Sequence, residues 1–321
     1  MGTTSSLAVM FDLLITGGTV VDGTGTPGVR ADVGVTDGRI AAVGELAGAE
    51  AAEILDASDR VVCPGFVDPH THFVAQLFCD PHATPSSQHG ITSMVMGNCG
   101  FTIAPIGDQT DADYLAAMLV KVEGMSPTAL SLGLDWNWRT FGDFLDRFEG
   151  NLGVNVAGMV GHSAIRRTVM KDDATSREAS PDELEAMKAL LAESLDAGGL
   201  GFSTCRSFTH SDGDGAPVPS RTAAADEVEA LCAVVADHPG TTLEWVADGC
   251  LNGFRDDEVD LMTRMSLAGR RPVNWNVLSI DAARPEDYRS QLEACDQVAA
   301  AGGKAMALPV PIPCSSNGCA P

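Results

Sequence analysis

The sequence has little positive charge, few aromatic residues and no long uninterrupted apolar run. Its 321 residues include 20 Lys and Arg against 44 Asp and Glu, which gives a formal charge of −24. Nucleic acids and anionic membrane surfaces carry the same sign of charge and are therefore unfavourable partners. No segment has the roughly 18 consecutive apolar residues of a membrane span. We expect a small-molecule partner, with no binding to nucleic acid or to membranes.

The sequence also lacks the features of a secreted, disulfide-rich protein. Nine cysteines in a chain of 321 residues are too few for a disulfide framework. The N-terminal stretch has no basic region and no small-residue cleavage site, and Asp12 interrupts its apolar residues, so it is a poor secretory signal. These absences predict a reducing, cytoplasmic location. The patterned sequence begins at Phe11, which makes Met10 an alternative start.

Residues 1–62 are predicted to be a small β unit. From residue 11 onward, short β-branched runs alternate with the pairs Gly17-Gly18, Asp22-Gly23 and Asp37-Gly38, which are typical of hairpin turns. No helical period is present in this stretch.

From residue 61 onward, apolar strands alternate with amphipathic helices, which is typical of βα units and a parallel sheet. One helix is predicted to begin at Pro181, with a capping box formed by Ser180 and Glu183. Three more are predicted at 223–238, 256–268 and 285–301. The candidate strands are 61–67, 91–96, 154–160, 199–203, 241–246, 272–278 and 304–310.

These seven strands are one fewer than a closed (β/α)8 barrel requires. The seventh runs into residues 312–321, an irregular tail with no strand or helix pattern. We therefore expect an α/β fold, with an incomplete TIM-type barrel over residues 63–311. Because an open sheet leaves unpaired strand edges, we also expect an oligomer or a complementing chain.

Residues 108–150 form an insertion between the second and third strands, and it carries Trp136 and Trp138. Two interpretations stay open for it. It is either a lid over a substrate or a helical excursion with its own apolar packing.

The first two barrel strands are each followed by metal-binding residue types. His70 and His72 lie just past the first predicted strand, and residues i and i+2 of an extended segment point to the same side. Alone, such a pair is more often two satisfied polar residues. Cys99 follows the second strand between Gly97 and Gly100, and a thiolate is a strong zinc ligand. Together these residues predict a metal site at one end of the barrel.

Three stretches, in this order, resemble the amidohydrolase superfamily: GGTVVDGTGTPGVRADVGVTDGRIAAVG, VVCPGFVDPHTHF and GITSMVMGNCGFTIAPI. Within it they resemble the D-aminoacylase group, the N-acyl-D-amino-acid deacylases, from about residue 11 to about residue 311. The resemblance implies that the N-terminal β unit is half of a composite β-sandwich. It also implies that His70, His72 and Cys99 are ligands of one or two Zn2+ ions.

The activity implied by this resemblance is hydrolysis of an amide bond other than a peptide bond. Such enzymes convert an N-acyl-D-amino acid into a carboxylate and a free D-amino acid. Zinc activates water and polarises the scissile carbonyl, and an aspartate from the last barrel strand is the general base.

The sequence departs from this group on its later strands. The group carries a metal-binding histidine on strand five and another on strand six. This sequence has Glu244 and Trp245 on strand five and Asn274 and Asn276 on strand six. The last-strand aspartate would lie beyond Pro321. We therefore keep as alternatives a non-catalytic, truncated remnant or interaction module, and a cyclic amide hydrolase of the dihydropyrimidinase type. The absence of a strand-four lysine and the presence of Cys99 count against the cyclic amide hydrolase.

Substrate contacts are expected from the loop after strand four. Arg206 and Arg221 supply guanidinium groups that could bind a substrate carboxylate, and His210 lies in the same loop. His162, after strand three, is interpreted as a loop or capping residue.

Overall fold

The structure, a computed structural model, describes residues 10–278, 280, 284 and 286–309. These residues form two compact units that divide between Phe66 and Val67. The predicted tail at 312–321 lies outside the described residues. No helix in the described ranges is both long enough and apolar enough to cross a membrane.

The first unit is a five-stranded sheet in which β3, β2, β1 and β4 are neighbours in that order and β5 also pairs with β1. Pairing of β1 with β2 and of β2 with β3 is antiparallel, whereas β4 and β5 run parallel to β1. The strands are β1 (Met10–Val20), β2 (Val29–Thr36), β3 (Arg39–Gly44), β4 (Glu50–Asp56) and β5 (Val61–Val62).

The hairpin predictions in this unit are partly right. Asp37 and Gly38 join β2 to β3, and both have positive φ, as a tight two-residue hairpin turn requires. Gly17 and Gly18 do not form a turn, so that prediction was wrong. They lie inside β1, where the pairing register with β2 shifts between Ile15 and Gly18. Glycine inside a strand often marks such an irregularity.

The second unit contains a seven-stranded sheet whose strands follow one another in chain order. Parallel pairing from β7 through to β12 confirms the predicted α/β fold and the incomplete TIM-type barrel. The strands are β6 (Phe66–Thr71), β7 (Ile91–Met96), β8 (Asn155–Gly161), β9 (Gly201–Cys205), β10 (Thr242–Val246), β11 (Val273–Leu278) and β12 (Ala305–Pro309).

The first barrel strand differs from its prediction. The apolar run 61–67 does not form one strand, because Pro64 and Gly65 interrupt it. Val61 and Val62 pair with β1 in the first unit, and the barrel strand begins at Phe66. His70 therefore lies within β6, and His72 is one residue past its end.

Helices lie between the later strands, as predicted. The helix predicted to begin at Pro181 does begin there, and Ser180 and Glu183 form the expected capping box. The helices are α1 (Gln76–Cys79), α2 (Gln109–Glu123), α3 (Pro127–Gly133), α4 (Phe141–Asp146), α5 (His162–Met170), α6 (Pro181–Asp196), α7 (Ala225–Ala236), α8 (Gly249–Asn252), α9 (Asp256–Gly269) and α10 (Tyr288–Ala300).

The insertion after β7 is a helical segment whose apolar side chains join the core of the barrel unit. It contains α2, α3 and α4, and Trp138 is completely buried beside Phe78 and Phe144. The indole N–H of Trp138 donates to the carbonyl of Ile103 at 2.7 Å. This packing favours the helical excursion over a separate lid.

Candidate metal centre

The histidine pair is presented by the end of β6. The Nε2 atoms of His70 and His72 lie 3.3 Å apart, because residues i and i+2 of an extended segment face the same side. Both histidines are partly buried. Neither Nδ1 atom has a hydrogen-bond partner among the described residues.

Cys99 reaches the histidines from a tight turn after β7. Gly97, Cys99 and Gly100 all have positive φ, at 80°, 57° and 74°. A Cβ atom at Gly97 would lie 2.6 Å from the carbonyl oxygen of Met159, so only glycine fits there. The turn places the Cys99 sulfur 3.5 Å from Nε2 of His70.

The three donor atoms fit a divalent metal of the zinc type. They all lie within 4.8 Å of one another, and no other group of three His, Cys, Asp or Glu donors in the described part of the chain does so. A tetrahedral zinc with ordinary bond lengths would separate its nitrogen ligands by about 3.3 Å and nitrogen from sulfur by about 3.6 Å. The observed separations of 3.3 Å and 3.5 Å agree with these values.

The protonation states of the histidines also suit metal binding. Burial lowers the pKa of His70 to about 4 and that of His72 to about 3, with a smaller effect from neighbouring histidines. Both rings are therefore neutral near pH 7, as metal ligation requires. Burial raises the pKa of the Cys99 thiol well above its usual value. A coordinated metal ion reverses that effect, because it stabilises the thiolate.

Glu123 is a residue of this site that sequence reasoning missed. It is the last residue of α2, and its Oε1 lies 3.4 Å from Nδ1 of His72. Burial raises the pKa of its carboxyl to about 7. No local sequence pattern could have identified it, because its position depends on how the insertion packs against β6.

Glu244 of β10 and Asn276 of β11 also lie beside Cys99. The Oε2 atom of Glu244 accepts a hydrogen bond from the Cys99 backbone N–H at 2.8 Å, and Nδ2 of Asn276 lies 3.5 Å from the Cys99 sulfur. Both side chains are almost fully buried. Burial raises the pKa of Glu244 to about 8. Alternate side chains of a strand point to the same face of the sheet. This alternation along β10 and β11 is the sequence signal that could have placed both residues on the face towards Cys99.

A cavity of about 240 Å3 opens beside the three donors. His210, one of the expected substrate contacts, lines it. Nδ1 of His210 lies 3.0 Å from the sulfur of Cys205, and its ring packs 4.8 Å from that of Phe101. Burial lowers the pKa of His210 to about 4, and the charge of Arg221 contributes to that shift.

The two arginines expected near the substrate line a different cavity, of about 360 Å3. Arg221 also donates to the backbone carbonyl of His210 at 3.0 Å, so it supports the loop that carries that histidine. The same cavity contains Asp248, Asp257 and other carboxylates, which offset the positive charge of the two guanidinium groups.

His162 begins α5 but is not a solvated loop residue. Its ring is fully buried, with Nδ1 2.8 Å from the Thr204 hydroxyl and Nε2 2.8 Å from Glu227. Glu227 also pairs with the buried guanidinium of Arg166. His162 therefore belongs to a structural network and does not line the cavity beside Cys99.

Two neutral imidazoles and one cysteine sulfur at the edge of a cavity can hold a metal that activates water and polarises a carbonyl. Their position is also the usual one for a barrel enzyme, whose active site lies at the carboxyl ends of the strands.

The chain is similar to known deacylases. It is 37% identical over 231 residues to a D-aminoacylase of Alcaligenes xylosoxydans xylosoxydans, covering 72% of this chain and 43% of the relative. It is 35% identical over 222 residues to an N-acyl-D-aspartate deacylase of the same organism, covering 69% of this chain and 40% of that one. The chain thus spans about two fifths of the length of these curated relatives.

A solved structure and a family model extend this similarity. The N-acyl-D-glutamate deacylase of Bordetella bronchiseptica, complexed with zinc and a phosphonate inhibitor, is 28% identical with a TM-score of 0.74, covering 93% of this chain and 58% of that one. The model described as the Amidohydrolase family matches residues 53–310, which is more than half of the chain. The resemblance to the amidohydrolases is thereby confirmed, and the chain belongs to the amidohydrolase family.

Proposed function

We propose that this chain belongs to a metal-dependent hydrolase of amide bonds other than peptide bonds, of the N-acyl-D-amino-acid deacylase type. The observation that carries the proposal is the convergence of His70 Nε2, His72 Nε2 and Cys99 Sγ within 4.8 Å of one another. These residues would hold one or two Zn2+ ions. The substrate would be a small N-acyl amino acid, in agreement with the names of the relatives.

The residues around the cavity would have different roles in the reaction. A bound metal supplies Lewis acidity to water and to the substrate carbonyl. Glu123 Oε1 lies 3.4 Å from Nδ1 of His72 and would accept a hydrogen bond from it when a metal binds, which would orient the imidazole as carboxylates commonly do for metal-binding histidines. His210 would contact the substrate, since its ring faces the cavity. Arg206 and Arg221 would contact the substrate from the neighbouring cavity. Arg221 would also hold the loop that carries His210, through its hydrogen bond to the His210 carbonyl.

We also propose a reducing, cytoplasmic setting and association with another chain. All seven cysteines among the described residues are free, which supports the first point. The barrel sheet has two outer strands with one neighbour each among the described residues, which supports the second point.

A second candidate is a non-catalytic module that keeps this fold. The side chains of Glu244 and Asn276 already contact Cys99, and each leaves one buried oxygen without a partner among the described residues. An interaction module would show neither stoichiometric zinc nor turnover.

The test is zinc content of the purified protein followed by turnover of acetyl-D-amino acids. Cys99→Ala should lower zinc occupancy by about tenfold or more, because it removes a coordinating thiolate. Cys232→Ala is the matched control, since that thiol is equally buried but lies in α7. Unchanged zinc in the Cys99 variant would contradict the proposed site. Protein with neither stoichiometric zinc nor turnover would support the non-catalytic candidate.

A further inference from the structure

The backbone of Cys99 is held in a conformation that cysteine does not favour. Its φ is 57°, in the left-handed region, where a residue bearing Cβ brings that atom too close to the following carbonyl oxygen. The residue is also 4% exposed, so solvent does not satisfy its backbone N–H. Other groups must therefore fix this turn.

Side chains from three successive strands make these contacts. Ser203 of β9 accepts the Gly100 N–H at 3.1 Å and lies 2.5 Å from the carbonyl of Gly97. Glu244 of β10 accepts the Cys99 N–H at 2.8 Å. Asn276 of β11 places Nδ2 3.5 Å from the sulfur itself. The turn is bound at both its backbone and its sulfur.

Two roles are compatible with Glu244. Its free Oε1 could be a metal donor, or its carboxylate could serve only to hold Cys99. The geometry favours the second role, because Oε2 is already engaged by the Cys99 N–H and Glu244 does not line the cavity beside the three donors. Among the described residues, the cluster of candidate donors contains His70, His72 and Cys99 but not Glu244.

We infer that Glu244 and Asn276 are positioning residues that keep the Cys99 sulfur directed at His70 and His72. Glu244 fixes the backbone of the turn, and Asn276 fixes the sulfur. The value of this role to the enzyme rests on the proposed function, because it assumes that Cys99 binds a metal. The hydrogen bond from the Cys99 N–H to Glu244 forms without a metal. The two ideas can therefore be tested separately.

The experiment compares the wild-type chain with Glu244→Gln, Glu244→Leu and Asn276→Leu. Glutamine keeps an oxygen acceptor without the charge, whereas leucine removes the acceptor. Asn274→Ala is the matched control, because it is an asparagine two residues earlier on β11. The first readout is hydrogen–deuterium exchange of the segment containing Cys99 in metal-free protein. The second is the sulfur-to-cobalt charge-transfer absorption after loading with Co2+.

Glu244→Leu should speed exchange at Cys99 by about tenfold, because the amide loses its acceptor. Its charge-transfer band should also weaken. Glu244→Gln and Asn274→Ala should resemble the wild-type chain in both measurements. Asn276→Leu should weaken the band with a smaller effect on amide exchange, since Asn276 lies beside the sulfur and the Cys99 N–H is accepted by Glu244.

Two results would overturn the inference. One is unchanged exchange at Cys99 in Glu244→Leu. The other is loss of the cobalt band in Glu244→Gln with amide protection intact, which would make Glu244 a ligand; this variant decides the matter even if Glu244→Leu does not fold. If the wild-type chain gives no cobalt band but the exchange pattern holds, the metal proposal fails and the positioning role of Glu244 stands.

Discussion

His210 is the residue where the cavity and the loop after β9 meet. Its Nδ1 atom is 3.0 Å from the Cys205 sulfur, its carbonyl accepts from Arg221, and its ring lines the cavity opposite His70 and His72. A buried neutral imidazole makes folding depend on pH, because the unfolded chain takes up a proton that the folded chain excludes.

The pKa of His210 is lowered from 6.5 to about 4, mainly by burial. Its stabilising contribution is therefore complete above about pH 6.5 and is lost as the pH falls towards 4. We expect His210→Gln to gain stability relative to wild type by on the order of 2 kcal/mol between pH 7.5 and pH 4.5. Urea unfolding of metal-free protein at both pH values measures this, with His89→Gln as the exposed control. If the difference in unfolding free energy between His210→Gln and wild type is the same at both pH values, the lowered pKa of His210 is refuted.

At the scale of residues, the sequence predicted those site residues whose side-chain type itself suggests metal binding. His70, His72 and Cys99 could be predicted because imidazole and thiol side chains follow adjacent strands. Glu123 could not, because it is one acid at the end of an amphipathic helix. The actual partners of Glu244 could not be predicted either, because the left-handed turn at Cys99 turns that backbone N–H towards β10.

At the scale of elements, α2 is hydrogen-bonded to the loop that carries His210. The hydroxyl of Tyr114 donates to Asp212 at 3.0 Å, and the guanidinium of Arg167 lies 4.7 Å from the centre of the Tyr114 ring. Asp212 in turn accepts backbone N–H groups from Asp214 and Ala216, which closes the loop. One hydroxyl thus joins the insertion to a wall of the cavity.

Tyr114→Phe removes that hydroxyl and leaves Asp212 with one partner fewer. We expect the free energy of unfolding to fall by about 1 kcal/mol, the usual value for one hydrogen bond. Tyr288→Phe is the natural control, because Tyr288 is the second of the two tyrosines in the chain. Equal stabilities of the two variants in urea titrations would show that the contact contributes nothing.

Most strands and helices of the barrel could be predicted, because the hydrophobic period of each segment and its length indicate the same type of element. The strand predicted at 91–96 matches β7, and the capping box located the start of α6. The first barrel strand was displaced because the apolar run from Val61 continues on both sides of Pro64. Apolarity alone does not show that the two sides join different sheets.

At the scale of the whole molecule, the barrel sheet is open among the described residues. Its two outer strands, β6 and β12, each have a single neighbour in this sheet. An unpaired strand edge is a template for pairing with another chain. Met306 in β12 is 55% exposed, so apolar surface accompanies the free edge.

We expect the chain to associate as its concentration rises, with β12 as a contact. Met306→Lys should shift this association to roughly tenfold higher concentration, because charge on an edge strand opposes pairing. Sedimentation velocity over a concentration series measures the effect. Leu132→Lys, which changes an exposed residue of α3, is the control. Association that is equally strong in Met306→Lys would place the contact elsewhere.

The four tryptophans are unevenly distributed between the two units. Trp136, Trp138, Trp245 and Trp275 all lie in the barrel unit, and the last three are completely buried. Intrinsic fluorescence excited at the red edge therefore reports the state of the barrel and is blind to the N-terminal sheet. The indole N–H of Trp275 also lies 3.2 Å from the Cys295 sulfur, a contact that quenches emission, so unfolding of the barrel should brighten this fluorophore as it shifts to the red.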